Sequence, residues 1–220
     1  RLAEQINHQK ELLFTKRIYH THHKAEKVMG FIKEDLRAIS QDNIEEVKAR
    51  VTKYSNFVAR VIYDMKWYDP PVQAIRGTLF RTDLNALLRF LVSNVFQRVS
   101  SGSDQIRFQL DLDESVPPVP VNEFVAWEVV EPVIQNCLEH AQARPLIVSI
   151  RTRCDGGVTR VEISDNGAGI VPELLEAGPD GVKRIFHENV STKSASNEHS
   201  GYGCYIAYEI ATERCGWSCD

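Results

Sequence analysis

The 220-residue sequence predicts an α+β fold in two parts: an N-terminal helical hairpin that forms a dimeric four-helix bundle, followed by an α/β sandwich. The first 67 residues contain no proline and one glycine, Gly30, and their apolar residues recur at helical spacing. Further along, strand-like alternation is interleaved with helical stretches, without the strict order of a doubly wound sheet. The predicted domains are 1–68 and 78–220, joined by a linker over 69–77.

The first predicted helix carries a seam of residues spaced by seven, which is typical of helices that pack along one stripe. The seam consists of Ile18, Ala25, Ile32 and Ile39, with His22, Met29 and Leu36 four residues after the first three. The polar segment 40–43 ends this helix, and Asp42 or Asn43 can cap a second helix that runs to Met65. One hairpin leaves an apolar stripe uncovered, so we expect a homodimer.

The C-terminal part is predicted from its alternation and turn residues. A short strand is expected near 78–82, a helix capped by Asp83 over 83–99, and a strand over 106–112. A helix over 122–141 follows, then strands over 146–153 and 159–164 joined by the turn Asp155-Gly156-Gly157. A short helix is expected near 182–186 and a last helix over 201–214.

Composition narrows the class of protein. The net charge of −4 and the lack of a basic stripe give no support to nucleic-acid binding. No apolar run is long enough to cross a membrane, and the five cysteines are scattered as expected of free thiols. The first residue is Arg1, so we expect a cytoplasmic fragment of a longer protein, with a sensor domain or membrane anchor upstream.

The segment Asp165-Asn166-Gly167-Ala168-Gly169-Ile170 directly follows a predicted strand. Its two glycines permit positive φ angles and a close approach of the backbone to a flat ligand. A carboxylate held at the end of a strand accepts a hydrogen bond from an exocyclic amine such as that of adenine. Taken alone, the same hexapeptide is also compatible with an ordinary tight turn.

Two further segments favour a nucleotide site. Asn136 and His140 lie one turn apart on a predicted helix, where an amide oxygen is suited to magnesium and an imidazole to phosphate. Ser200-Gly201-Tyr202-Gly203 opens another helix, and the backbone N–H groups of a helix start are suited to phosphate. Each signal is weak alone, and their order along the chain makes them stronger together.

These three segments resemble the catalytic, ATP-binding domain of sensor histidine kinases, in the superfamily that includes gyrase, Hsp90 and MutL. The resemblance begins near Thr78 and implies ATP and Mg²⁺ as ligands, with a last hairpin of the fold beyond Asp220. It implies that Asn136 binds magnesium, that Asp165 reads adenine, and that 192–200 is a lid over the triphosphate. The nucleotide-binding residues implied are Asn136, His140, Asp165, Gly167, Gly169, Ile170, Phe186 of a phenylalanine box, Thr192, Lys193, Gly201 and Gly203.

The N-terminal half resembles the dimerisation and phosphoacceptor hairpin of the same kinases. The acceptor histidine of that family precedes core positions by two, six and nine residues, and from His23 these positions are Ala25, Met29 and Ile32. His23 is therefore the preferred acceptor and His22 the next. Glu26 is the nearest carboxylate that could fix the imidazole tautomer, because Lys24 stands where the family commonly has an acid.

The leading hypothesis is an ATP-dependent protein-histidine kinase that passes its phosphoryl group to the aspartate of a response regulator receiver domain. A second hypothesis is a nucleotide-binding but catalytically weak homologue that regulates a partner kinase through the helical bundle. Lys24, Lys27, Cys204 and Tyr205 depart from the kinase pattern and motivate it. A third is an ATPase of the same superfamily that forms no phosphohistidine, which the helical hairpin and its histidine cluster disfavour.

Overall fold

The computed structural model describes residues 22–66, 76–99, 105–141, 143–188, 190 and 203–220. The chain divides into two compact units, Arg1–Pro71 and Val72–Asp220. The predicted α+β class is confirmed, since the first unit contains helices and the second combines helices with a three-stranded sheet. The functional roles predicted for the two domains, and their exact limits, stay predictions.

The first unit contains helix α1 (22–37) and helix α2 (Ile44–Lys66), separated by a polar turn at 38–43. Asn43 stabilises this turn in a different way from the predicted cap. Its Oδ1 accepts a hydrogen bond from the Ser40 N–H at 2.7 Å, and its Nδ2 donates to the Ala38 carbonyl at 3.0 Å. The side chain therefore closes the end of α1, while Glu45 and Glu46 place acidic groups in the first turn of α2.

The face of α1 that packs against α2 is not the predicted seam. Val28 and Phe31 are buried, and the Phe31 ring lies 5.9 Å from the ring of Tyr54 on α2. The seam residues Met29 and Leu36 are 52% and 54% exposed in the single chain. They lie roughly a quarter turn away from the buried face, because one residue of a helix turns by about 100°. The seam therefore forms an apolar surface next to the buried face, and the partner predicted to cover it stays a prediction.

A buried ion pair links the two helices near the turn. Arg50 Nε donates to Asp35 Oδ2 at 3.0 Å, and Arg50 Nη2 donates to Asp35 Oδ1 at 3.2 Å. Asp35 is buried, and the exposed Glu46 meets the same guanidinium at 2.5 Å. The two-pronged bond holds the pKa of Arg50 above its ordinary value, mainly through the hydrogen bond to Asp35. It fixes the register of α1 against α2.

The second unit begins with helix α3 (Leu84–Leu91), which continues through a π-helical turn (Val92–Phe96) to Gln97–Val99. The predicted cap is confirmed, since Asp83 accepts a hydrogen bond from the Ala86 N–H at 2.9 Å. The predicted strand near 78–82 is wrong. Gly77, Thr78 and Leu79 form a turn, flanked by isolated bridges from Arg76 to Val121 and from Thr82 to Val119.

The sheet contains strands β1 (Ile106–Leu112), β2 (Leu146–Asp155) and β3 (Val158–Asp165) in that order. β1 runs parallel to β2, and β2 runs antiparallel to β3 with Val148 opposite Asp165. The predicted turn between β2 and β3 is confirmed, and its Gly156 and Gly157 have φ angles of 56° and 81°. These angles fit the primed turns of two-residue hairpins.

Helix α4 (Glu123–His140) lies between β1 and β2 in the chain and packs on the sheet. Its predicted start is confirmed, because Asn122 accepts a hydrogen bond from the Phe124 N–H. Alternate residues of β2 are buried on the helix-facing side of the sheet: Leu146, Val148, Ile150 and Thr152. The core is therefore one layer of helices against one face of the sheet, and α4 lies beside the end of β3.

After β3 the chain forms a short helix α5 (Pro172–Leu175), which was not predicted, and a 3₁₀ turn (Arg184–Phe186) within the predicted helix near 182–186. The last helix, α6 (Gly203–Glu209), passes into a π-helical segment (Ile210–Cys215) and packs against α4. Across the described ranges, no helix has both the length and the apolar character needed to span a bilayer.

Candidate functional site

The turn after β3 holds the carboxylate of Asp165 in a fixed position. Asp165 is the last residue of β3, and its Oδ1 accepts a hydrogen bond of 2.7 Å from the Gly167 N–H. This bond folds the side chain back over its own turn and uses one carboxylate oxygen. The side chain is exposed, so its other oxygen is accessible to a hydrogen-bond donor from a ligand.

The two glycines of this turn are required for different physical reasons. A Cβ at Gly167 would lie 2.7 Å from Asp165 Oδ1 and 3.0 Å from both Cα and Cβ of Ala141 at the end of α4. Gly169 has open space around it, but its φ of 79° is one that residues with a side chain rarely adopt. Gly167 therefore allows the turn to approach α4, and Gly169 allows the chain to turn away.

Asn166 anchors the same turn to the neighbouring strand, a role that the sequence analysis did not assign. Its Oδ1 accepts a hydrogen bond from the Ile147 N–H at 2.8 Å, and its Nδ2 donates to the Pro145 carbonyl at 3.0 Å. The side-chain amide thus continues the hydrogen-bond ladder of β2 and β3 past the end of β3. An Asn between Asp and Gly at a strand end was the available signal for this role.

A buried thiol on α4 contacts Asp165. Burial raises the pKa of Cys137 to about 12, and the charge of Asp165 and a hydrogen bond to it contribute in the same direction. The Cys137 thiol therefore stays protonated beside the carboxylate. Cys137 directly follows Asn136, and sequence reasoning classed it only as a buried free thiol. Asp165 is held by its own turn, and its charge acts on a thiol of α4.

Asn136 lies one residue before Cys137 and is tied to α6. Its Nδ2 donates to Cys204 Sγ at 2.8 Å, where Cys204 is the residue after Gly203 at the start of α6. Burial raises the pKa of the Cys204 thiol, so the sulfur is neutral. Gly203 lies close to Pro132 of α4, since a Cβ there would be 3.5 Å from Pro132 Cβ. The structure thus joins the predicted helix Asn to the second glycine segment.

Phe186 packs against α6. Its ring stacks on Tyr208 with centroids 4.5 Å apart and an interplanar angle of 19°. The described part of the predicted phenylalanine box is therefore attached to the helix that the second glycine segment opens. Tyr208 was not identified from the sequence. The only local signal is that it lies four residues, about one helical turn, after Cys204.

Of the remaining residues predicted to bind the nucleotide, some lie within the described structure and others lie outside it. His140 is the last residue of α4 and is exposed, one turn after Asn136 as predicted. Ile170 is half-exposed just after Gly169. Thr192, Lys193 and Gly201 lie outside the described residues, as do the whole of the predicted lid over 192–200 and two further histidines of the N-terminal cluster, His8 and His20.

The two described candidate phosphoacceptors share one carboxylate. His22 Nδ1 lies 3.7 Å from Glu26 Oε1, and His23 Nδ1 lies 3.9 Å from Glu26 Oε2. The side chains of His22 and His23 are 60% and 75% exposed, so His22 is not packed in a seam in the single chain. Lys24, which follows His23, is buried. Glu26 is therefore placed to interact with either imidazole.

The donor atoms near Asn136 fit magnesium only in combination with a ligand. Within the described portion of the chain, no group of three or more His, Cys, Asp or Glu side chains is arranged to hold a metal ion. The hydrogen bond to Cys204 uses the amide nitrogen of Asn136, which leaves the oxygen for a hard cation. Magnesium in nucleotide enzymes commonly has one or two protein oxygens and takes its other ligands from phosphates and water.

A family comparison identifies the C-terminal part of the chain. Residues 123–220 match the family described as "Histidine kinase-, DNA gyrase B-, and HSP90-like ATPase". This range begins at α4 and contains Asn136, Cys137, Asp165 and Cys204. The resemblance predicted from the sequence is thereby confirmed for residues 123–220, which are similar to this family. No curated protein sequence matches the chain significantly.

Solved structures of histidine kinases are similar in general architecture. The catalytic domain of histidine kinase ThkA is 21% identical, with a TM-score of 0.48 over 61% of this chain and 80% of that one. ThkA in complex with response regulator protein TrrA is 18% identical, with a TM-score of 0.49 over 96% of this chain and 57% of that one. The histidine kinase domain of Erythrobacter litoralis EL346 is 18% identical, with a TM-score of 0.43 over 86% and 84%. At these identities and TM-scores, the likeness assigns no substrate or partner.

Proposed function

We propose that this protein is an ATP-dependent protein-histidine kinase, in which the site at the end of β3 binds ATP and a histidine of α1 accepts the γ-phosphoryl group. The observation that supports this most strongly is the held carboxylate of Asp165. The Gly167 N–H binds one of its oxygens at 2.7 Å, and the residue is exposed. A fixed, exposed carboxylate next to a backbone turn is suited to the N6 amine of adenine.

The phosphate end of the nucleotide is assigned to α4 and the start of α6. The Asn136 amide oxygen would hold a magnesium ion bridged by phosphate oxygens, and the ion would neutralise charge that develops on them. His140, one turn further along α4, is proposed to contact a phosphate. Thr192, Lys193 and Gly201 are proposed to complete this end from the lid and the second glycine segment.

The phosphoacceptor is proposed to be His23, with His22 as the alternative. Glu26 lies 3.9 Å from His23 Nδ1, so a proton on Nδ1 would be directed to a carboxylate and Nε2 would carry the lone pair. Nε2 attacks the γ-phosphorus, the bond from phosphorus to the β,γ-bridging oxygen breaks, and ADP leaves. The ring proton on Nδ1 passes to Glu26 as the phosphoimidazole forms. The 75% exposure of the side chain leaves room for the triphosphate.

A homodimer is proposed to cover the exposed seam of the hairpin. Met29 and Leu36 on α1 and Ile39 in the turn after it are between 44% and 54% exposed, and α2 does not cover them. A second hairpin packed on this face would complete a four-helix bundle and bury these side chains. In such a kinase the phosphoryl group would pass to the aspartate of a response regulator receiver domain, in the cytoplasm where ATP is available.

Labelling with γ-³²P ATP and magnesium tests the proposal. We expect acid-labile, base-stable label on the wild-type chain, loss of the label in His23→Ala and retention in His22→Ala. Loss of label only in His22→Ala would transfer the assignment to that residue. Unchanged labelling of the double variant would contradict a phosphoacceptor at either position. Phosphate release from ATP without labelled protein would indicate an ATPase that forms no phosphohistidine.

A second candidate is a nucleotide-binding regulator with little kinase activity. The burial of Lys24 favours it, because an ammonium group follows His23 where an acid would assist the nucleophile. Under this alternative, wild type binds ATP with measurable affinity but takes no label. Restoring an acid with Lys24→Glu distinguishes a kinase limited by this position, which would gain label, from a chain that acts only by binding.

A further inference from the structure

Cys204 occupies a position at which the sequence departs from the kinase pattern, and its thiol contacts the one protein atom group assigned to magnesium. The Asn136 Nδ2 lies 2.8 Å from Cys204 Sγ. Asn136 is one turn before the end of α4 and Cys204 is in the first turn of α6, so the bond crosses between two helices. A leucine, which commonly follows the second glycine box, has no atom that accepts a hydrogen bond.

A primary amide has its nitrogen and oxygen on opposite sides of one plane, so a partner that fixes one end also fixes the other. The amide oxygen coordinates magnesium, whereas the N–H groups repel it. Without a fixed partner, the side chain can rotate by half a turn and present its N–H groups to the cation. The Asn136 nitrogen faces Cys204, whose sulfur accepts the hydrogen bond, so this contact holds the orientation in which the amide oxygen points away from Cys204.

We propose that Cys204 is a positioning residue that orients the Asn136 amide so that its oxygen faces the magnesium ion of the bound nucleotide. This inference rests on the proposed function, because it takes Asn136 as the magnesium ligand. The consequence is specific: Cys204 contributes to the magnesium-dependent part of nucleotide affinity.

The magnesium-dependent part of nucleotide affinity can be measured by calorimetric titration of the full chain with ADP. It is the ratio of the ADP affinity in magnesium to the ADP affinity in EDTA. We expect Cys204→Leu to lower this ratio about two- to tenfold, which is the range of one net hydrogen bond. Cys204→Ser should restore most of the ratio, since a hydroxyl also accepts a hydrogen bond from the amide. Cys219→Ser is the matched control for loss of a thiol elsewhere and should keep the wild-type ratio.

Three outcomes contradict the inference in distinguishable ways. If wild type binds no ADP in either condition, the proposed function fails and the role of Cys204 fails with it. If wild type binds and Cys204→Leu keeps its ratio, the orienting role is wrong while nucleotide binding stands. If Cys204→Leu and Cys204→Ser lower the ratio equally and also lower the melting temperature, Cys204 acts through packing. Its hydrogen bond then does not orient Asn136.

Discussion

Replacing Gly167 by alanine should weaken nucleotide binding while the fold survives. The added Cβ would lie 2.7 Å from Asp165 Oδ1, closer than carbon and oxygen approach without a bond. It would also lie 3.0 Å from Cα and Cβ of Ala141, and the backbone of Ala141 cannot rotate away as a flexible side chain would. The Asp165 side chain must therefore leave its place on the Gly167 N–H.

The size of the effect follows from what the displaced carboxylate loses. A hydrogen bond to a charged group contributes about 1.5–3 kcal/mol, so losing the one to adenine lowers affinity by about ten- to a hundredfold. Overpacking against Ala141 costs about 1–3 kcal/mol of stability. The variant should therefore remain folded at moderate temperature and bind poorly.

Titration with ADP and a thermal melt, carried out on three alanine variants, test this reasoning. Gly157→Ala places a side chain at a φ of 81° with nothing within 4 Å, so it should lose about 1–2 kcal/mol of stability and no affinity. Gly30→Ala, on the exposed face of α1, should add about 0.5–1 kcal/mol and leave affinity unchanged. Wild-type affinity in Gly167→Ala, with the fold intact, would refute the placement of Asp165 in the site.

Three further predictions concern stability. Cys137 has a folded pKa of about 12 against an ordinary 9.0, so above pH 9 only the unfolded thiol loses its proton. The free energy of unfolding should therefore fall by at most about 1.4 kcal/mol per pH unit between pH 9 and about 12. In urea melts, the free energy of unfolding of Cys137→Ala should fall less steeply with pH than that of wild type. Asp35→Ala should cost about 3 kcal/mol, whereas Glu46→Ala, which removes the exposed partner of the same arginine, should cost under about 1 kcal/mol; equal costs would contradict the burial argument. A double-mutant cycle on Phe186 and Tyr208 should give about 0.5–1.5 kcal/mol of coupling, and strictly additive effects would exclude the stack.

The strands and the turn at Asp165–Gly169 could be predicted because their signals are local. Alternating residues between turn residues defined β1, β2 and β3 to within two residues of the observed bounds. Asp165 and its glycines were recognisable from residue types within five positions. The caps at Asp83 and Asn122 depend on a side chain and an N–H only a few residues away, so they too were predictable.

The contacts that complete the site could not be predicted, because they join residues far apart in the chain. Asn136 meets Cys204 across 68 positions, and neither residue type indicates the other. The same reason explains the seam on α1. A seven-residue spacing identifies an apolar stripe but not which neighbour covers it, and α2 packs instead against Val28 and Phe31. The strand expected near 78–82 failed because isolated bridges and a turn share the residue types of a short strand.

The most direct test of the central claim is calorimetric titration of the Asp165→Ala chain with ATP in the presence of magnesium. Wild type and the control Glu162→Ala, which removes an exposed carboxylate from the same strand, should bind ATP equally well and prefer it to GTP. Asp165→Ala should show no measurable binding of ATP at the same concentrations while its melting temperature stays near that of wild type. ATP binding of wild-type strength in Asp165→Ala would contradict the assignment of this turn as the adenine site.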